Sequence, residues 1–191
     1  MRSYKVKVAA AELPVTLDEA KNHLKVDVSA DDTLITNLIK AATSSCEEYT
    51  NRFFITTSLN QYGDVWADIS ELFKSPAKTI TSIKYYDEDN VLQTLSSSIY
   101  LLDVAVMPSR IGLQPNQSFP TIANRINAID VAYEVGVDDP GNVDNGIKQA
   151  ILLTIGHWYA NRESVVVGRQ VNEVPMAAKY LLDQYKIQVV R

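Results

Sequence analysis

The sequence is poor in residues that build covalent or metal-based sites. It contains one cysteine, Cys46, which excludes an intrachain disulfide, and two histidines, His23 and His157, without other ligands at the spacing of a metal cage. It also lacks any stretch near the roughly 18 apolar residues of a membrane span, and it does not begin with the apolar run of a signal peptide. We therefore expect a cytoplasmic protein without a metal ion, a cofactor or a membrane contact.

Glycine and positive charge are scarce as well. Seven glycines occur in 191 residues, and they form neither of the glycine-rich loops that cradle the phosphates of nucleotides. The net charge is -5, whereas proteins that grip a phosphate backbone carry an excess of lysine and arginine. Nucleotide chemistry and tight DNA binding are therefore not expected.

No arrangement typical of a catalytic site is present in the sequence. The serines include no GxSxG elbow, and Cys46 lies on an apolar helix stripe, where a buried thiol behaves as a small hydrophobic group. The acidic clusters have structural interpretations: Asp31-Asp32 as a helix cap, Glu47-Glu48 as a solvated helix face, and Asp87-Glu88-Asp89 and Asp138-Asp139 as turns. We expect no catalytic residue. An enzyme or a small-ligand-binding protein stays open as an alternative, because sequence does not reveal polar groups that converge in a pocket.

Two helices are predicted near the N-terminus. Thr16-Leu17-Asp18-Glu19 has the pattern of a capping box, in which a hydroxyl and a carboxylate satisfy free amides at a helix start, so a short helix should span about 16–24. A second helix should open at Asp31-Asp32 and run to about Asn51. Its apolar residues recur at three- and four-residue steps on one face: Leu34, Ile35, Leu38, Ile39, Ala42, Cys46 and Tyr49.

The middle of the chain, from about 55 to 136, changes to the two-residue period of strands. In the segment 129–135, IDVAYEV, large apolar residues take every odd position, which indicates a strand with one solvated face. A small antiparallel sheet or sandwich is therefore predicted. The other candidate strands are Ser58–Trp66, Ile80–Tyr86, Ile99–Val104 and Arg110–Leu113.

Helical spacing returns after a turn cluster around Pro140, and Pro175 suits the first turn of a last helix. The apolar stripes at the two ends of the chain each need a partner, so we expect the ends to pack together. The predicted fold class is α+β: a helical bundle formed by the N- and C-terminal helices, 1–54 and 138–191, with an antiparallel sheet or sandwich, 55–137, inserted in one compact unit. The C-terminal stripe consists of Ile147, Ile151, Ile155 and Trp158.

Several local strings carry a resemblance to a known family. They are VTLDEAKNHLKVD at 15–27 with DDTLI at 31–35, YTNR at 49–52, IKYYDEDN at 83–90, GHWYANRE at 156–163, and Val174-Pro175, Leu181-Leu182 and Tyr185 near the end. In this order they resemble the head-tail connector (adaptor, or head-completion) proteins of tailed bacteriophages, in the branch with a β insertion. Asn51 and Asn90 stand where the family pattern usually has glycine, and asparagine is the next best residue at positive φ.

The resemblance implies a non-enzymatic subunit of a homo-oligomeric ring, commonly of twelve copies. Such a ring is made in the host bacterial cytoplasm, lies in the virion neck, docks on the portal protein at the vertex and presents a platform to the next neck or tail protein. DNA would pass through its lumen without sequence-specific binding, and an acidic lumen would repel phosphate. Another neck or tail-completion role, such as a stopper, stays open as an alternative.

The C-terminal segment contains the candidate interface residues. It combines aromatic side chains, which are frequent at protein interfaces, with β-branched apolar residues after the last helix. This tail either adds to its own subunit or docks on a neighbouring ring subunit or the portal, and the resemblance favours docking. The candidates are Tyr180, Tyr185, Ile187, Val189, Val190 and Arg191.

Overall fold

The computed structural model of the protein describes residues 3–161, 165–166, 169–170 and 174–188. Its contacts divide the chain into two units, here called the sheet unit (1–10, 56–136 and 187–191) and the helical unit (11–55 and 137–186). The fold class is α+β, as predicted. The division differs from the sequence-based one because the first ten residues group with the sheet rather than with the helices.

Within the described residues, the helical unit contains four α-helices: α1 (Leu17–Leu24), α2 (Asp32–Thr50), α3 (Asn145–Ala160) and α4 (Met176–Asp183). Helices from before and after the sheet share one hydrophobic core, so the two apolar stripes do pack together. Two short strands between α3 and α4, Val165–Val166 and Arg169–Gln170, pair with each other in antiparallel direction. The fully buried side chains of this core include Ile35, Ile39, Ala42, Cys46, Ala150, Ile151, Ile155, Ala178 and Leu182.

The two N-terminal helices begin in different ways. Thr16 caps α1 as predicted: its hydroxyl accepts from the Glu19 backbone N–H at 3.1 Å, and the Glu19 carboxylate accepts from the Thr16 N–H at 2.7 Å. Asp31 occupies the N-cap position of α2, but its side chain makes no capping bond and instead accepts from the Tyr159 hydroxyl. The prediction of a side-chain cap at Asp31 is therefore wrong, because a hydrogen bond to another helix competes with the cap.

The sheet unit is built on a five-stranded antiparallel sheet and a two-stranded one. The strands are β1 (Ser3–Val8), β2 (Thr57–Gly63), β3 (Ala77–Tyr86), β4 (Leu92–Thr94), β5 (Tyr100–Asp103), β6 (Arg110–Leu113) and β7 (Ile129–Val135). The larger sheet has the order β1-β2-β7-β3-β4, and β5 pairs with β6. The predicted strand β7 lies at its centre, while β1 and β4 were not predicted. Both are edge strands with exposed side chains. β1 does alternate Tyr4, Val6 and Val8 with polar residues, a strand pattern that was overlooked, whereas β4 has only three residues and is too short for a pattern.

One face of the larger sheet is buried and contains a polar network. Leu59, Val131 and Tyr133 are fully buried on it, beside the buried amide of Gln61. The Gln61 amide nitrogen donates to the Glu71 carbonyl at 2.9 Å, and its oxygen accepts from the Phe73 N–H at 2.9 Å. These bonds help to hold the irregular segment that follows β2, whose backbone otherwise pairs only briefly with β6, at the bridge from Glu71 to Arg110.

Candidate protein interface

All of the family-like strings except IKYYDEDN at 83–90, which lies in the sheet unit, belong to the helical unit. At the end of α2, the Tyr49 hydroxyl donates to the Asp183 carboxylate at 2.6 Å, and the Lys186 ammonium lies 4.4 Å from the centre of the Tyr49 ring. The half-buried Arg52 is close enough to Asp144 and Tyr185 for charge interactions, and burial lowers the pKa of its guanidinium. The string at 49–52 therefore binds the closing string of the chain.

A second set of contacts joins the opening string to α3. Lys148 forms an ion pair with Glu19 at 3.1 Å, and Tyr159 donates to Asp31. The Thr16 N–H and then Lys148 hold the pKa of the Glu19 carboxyl below its usual range, in spite of partial burial. These polar residues act as ties between helices from opposite ends of the chain.

The residues considered for chemistry lie in ordinary structural positions. Cys46 is fully buried in the helical core, and burial raises the pKa of its thiol to about 12, so it is not a nucleophile. His157 is exposed at the end of α3, and His23 is exposed on α1 with its ring against Gly156. Across the described ranges, no three histidine, cysteine, aspartate or glutamate side chains are grouped so that they could hold a metal ion.

The acidic clusters form turns at two of the predicted places. Asp87 accepts from the Val91 N–H at 2.9 Å, and Asn90 has a φ of 59° in that turn. Asp139 accepts from the Gly141 N–H at 2.7 Å. Glu47 differs from its prediction as a solvated residue: it is half-buried and accepts from the Phe54 N–H at 2.9 Å, so it caps the chain that leaves α2.

The C-terminal interface candidates fall into three groups. Tyr180 is 81% exposed on α4, one turn from Met176, which is 88% exposed. Tyr185 is half-buried, and its hydroxyl packs so closely on Gly146 that a Cβ atom at position 146 would lie only 2.8 Å from the hydroxyl oxygen. Ile187 is 5% exposed and groups with the sheet unit. Val189, Val190 and Arg191 lie outside the described residues. Of the candidates in the described part, only Tyr180 therefore presents an open surface.

The sheet unit exposes apolar side chains that the sequence analysis did not single out. The loop between β5 and β6 presents Val104, Val106 and Met107, with Leu101 beside it on β5. Exposed valines also mark the edge of the sheet at Val6 and Val8 of β1. Large apolar side chains left in water by a folded unit are typical of surfaces that bind a partner. Their signal in the sequence is weak, since short apolar runs in strands look alike whether they are buried or exposed.

Comparison with known proteins identifies the family. The model for "Phage gp6-like head-tail connector protein" matches residues 14–100 and 116–186, which is most of both units. The chain belongs to the phage gp6-like head-tail connector family. The resemblance carried by the local strings is confirmed, and the connector has a structural role at the junction of phage head and tail. No individually curated protein sequence matches it significantly.

Solved structures of gene transfer agent (GTA) particles contain chains with the connector's fold. A chain in the virion of the native particle superposes with a TM-score of 0.79 at 16% identity, covering 98% of this chain and 97% of that one. A chain in the neck of the empty particle, computed with C6 symmetry, gives 0.75 at 17% identity, covering 99% and 97%. A chain in the neck of the native particle, computed with C12 symmetry, gives 0.72 at 18% identity, covering 100% and 97%.

In the part of the connector that the structure describes, no helix combines the length and the apolar character needed to cross a bilayer.

Proposed function

We propose that the connector is the subunit of a homo-oligomeric ring in the virion neck, docked on the portal protein and presenting a platform to the next neck or tail protein. The observation that carries this proposal is the family match across both units, together with the full-length likeness to chains of GTA necks. A ring of twelve copies agrees with the C12 symmetry reported for one of those necks. The role needs no catalytic group, cofactor or metal.

The proposal assigns a different role to each of the two units. The helical unit is a bundle built from both ends of the chain, supported by the core that α2, α3 and α4 share. Its polar ties, Tyr49 to Asp183 and Tyr159 to Asp31, keep that bundle closed. The sheet, inserted between the halves of the bundle, supplies contact surface to other proteins, as its exposed apolar side chains suggest.

The C-terminal segment serves as a docking element in this proposal. Tyr180 and Met176 form an exposed apolar patch on α4, and Tyr185 anchors the segment that follows by packing on Gly146. Val189, Val190 and Arg191, which lie outside the described residues, are the candidates for contact with a neighbouring subunit or the portal. Because Ile187 is buried, it belongs to the anchor rather than to the docking element.

Binding to isolated portal tests this function. Full-length connector should co-sediment with portal rings, and a chain shortened by residues 189–191 should lose this binding while it keeps its melting temperature. A chain shortened by 187–191 is the matched control: it should also melt at a lower temperature, because it lacks the buried Ile187. Absence of binding by the full-length chain would reject portal docking and favour the alternative of a stopper-like or tail-completion protein.

A further inference from the structure

The five-stranded sheet has two free edges, formed by β1 and β4. In the described residues β1 and β4 each have one neighbouring strand, so one side of each offers backbone N–H and C=O groups to another strand. All six residues of β1 and all three of β4 are exposed. A folded protein seldom leaves two such edges open unless a partner covers them or charges protect them.

The two edges carry opposite charge and similar apolar residues. Lys5 on β1 is exposed, and Val6 beside it is 47% exposed. At the other edge, Glu88 and Asp89 are exposed in the turn before β4, and Val91 is 52% exposed. One edge therefore offers a cation next to a valine, and the other offers anions next to a valine.

We propose that, in the ring, β1 of one copy pairs with β4 of the next copy, so that the sheets of neighbouring subunits join edge to edge. This inference rests on the proposed ring and names the surface that closes it. The contact is heterologous, since each copy uses two different edges, and repeating such a contact generates a closed ring when the rotation allows it.

Strand direction and register fit this pairing. Each strand of the sheet is antiparallel to its neighbour, so β1 and β4, separated by three strands, run in the same direction and the new pair is parallel. The register across the sheet puts Val6 and Gln93 on the same face, the one that carries Tyr133. Val91 immediately precedes β4, and continuing the alternation by two residues from Gln93 brings Val91 to that face as well. With Val6 opposite Val91, Lys5 stands opposite Asn90 and beside Asp89.

Lysines on an edge strand also have a simpler role, which is to keep that edge from pairing with other chains. The two roles predict different outcomes for a change of charge. A lysine that only protects the edge can be replaced by a residue of either charge without effect on assembly. A lysine that contacts an acidic turn cannot be replaced by a negatively charged residue, because the two would repel each other.

Cross-linking tests the contact directly. Rings of the full-length double variant Val6→Cys with Val91→Cys, formed alone or on portal, should give under oxidation a ladder of covalent multimers up to the ring size. The buried Cys46 does not compete. The pair Val6→Cys with Leu101→Cys, which combines the same edge with an exposed residue away from β4, is the matched control. It should give no ladder, because neither cysteine meets another cysteine across the proposed contact. Rings without a ladder would overturn this inference and leave the proposed function standing, whereas absence of any ring would reject both.

A charge exchange separates specific pairing from protection of the edge. Lys5→Glu and Asp89→Lys, each alone, should abolish ring formation in a chain that remains folded by circular dichroism, and the two together should restore it. Normal rings from both single variants, or no recovery in the combined one, would overturn the proposed contact.

Discussion

The helical unit and the sheet unit of the connector differ in how many large apolar side chains they expose to solvent. Of the large apolar side chains exposed in the described residues, the helical unit contributes only Val28, Met176 and Tyr180, and all others belong to the sheet unit. The helical unit is therefore nearly complete as a folded body, whereas the sheet unit has surface that is costly to leave in water. This difference is the basis of the proposal that the sheet unit supplies contact surface to other proteins.

The two units also differ in the polar groups that they bury. The buried hydroxyls of Thr50 and Thr154 donate to carbonyls of their own helices, at 2.8 Å each. In the sheet unit, buried Gln61, Ser75 and Ser109 bind the backbone of distant segments. A helix satisfies its own backbone, so its core can be almost entirely apolar, while irregular segments over a sheet need side-chain partners.

The largest effect is expected from a charge in the helical core. Cys46→Asp buries a carboxylate without a cation to pair with, which costs several kcal/mol, so the chain should lose the cooperative unfolding transition of that unit. Lys40→Asp, on the exposed side of α2, is the control and should melt close to the unchanged chain. Thermal unfolding followed by circular dichroism measures both. A folded Cys46→Asp protein would show that α2 does not face a core.

A smaller but clear loss is expected when the polar network of the sheet unit is broken. Gln61→Leu keeps the volume but leaves the Phe73 N–H and the Glu71 carbonyl without their partner, at about 1–3 kcal/mol for each buried group. Chemical denaturation should show this loss, and exposed Gln93→Leu should show almost none. Equal stability of the two variants would mean that the network does not hold the segment after β2.

The helix cap of α1 should contribute less again. Thr16→Ala removes the hydroxyl that accepts from Glu19, and the expected loss is about 1 kcal/mol in the free energy of unfolding. Thr36→Ala, on a half-buried hydroxyl inside α2, is a comparison without a cap. If Thr16→Ala were no more costly than Thr36→Ala, the cap would have no role in stability.

The pH dependence of the same site follows from the lowered pKa of Glu19. A carboxyl whose pKa is lower in the folded state stabilises the fold at pH values above its unfolded pKa, and this contribution disappears as the pH falls through the folded pKa. The difference in stability between the unchanged chain and Glu19→Gln should therefore be present at neutral pH and shrink in acid. A constant difference across this range would contradict the cap and the Lys148 ion pair as its source.

The smallest effect on stability is expected on the exposed loop of the sheet unit. Val104→Ser with Met107→Ser removes apolar surface that is already in water, so the free energy of unfolding should change by no more than about 0.5 kcal/mol. Assembly into the neck, scored by electron microscopy, should be reduced. A clear loss of stability together with normal assembly would mean that these side chains stabilise the fold and do not bind a partner.

Most of the fold could be predicted because its signals are local. The capping box at Thr16, the apolar stripe of α2 and the strand β7 each have a local signal, and the structure confirms all three elements. The expectation of a solvated face on β7 is wrong, because this central strand buries Ala132 on that face and half-buries Asp130 and Glu134. The positive φ of Asn51 and Asn90, 56° and 59°, also follows the expectation for residues that replace glycine. The strand β1 was missed although Tyr4, Val6 and Val8 alternate with polar residues, while its pairing could not be predicted because its partner β2 lies about fifty residues away.

The interface was harder to predict, since exposure is a property of the folded chain. Sequence analysis placed Tyr185 and Ile187 among the interface candidates, and both pack within their own subunit. Tyr49 and Tyr159 gave no hint of their partners Asp183 and Asp31, more than a hundred residues away. The apolar loop between β5 and β6 resembles any short strand end until the structure shows that Val104 and Val106 are exposed.

Class-averaged electron micrographs of the purified full-length connector, alone and mixed with isolated portal, test the central claim most directly. The account predicts closed rings with a central channel, stacked coaxially on the portal, with about twelve subunits as in the C12 GTA neck. Particles that remain monomeric in both samples, or open filaments that ignore the portal, would contradict it.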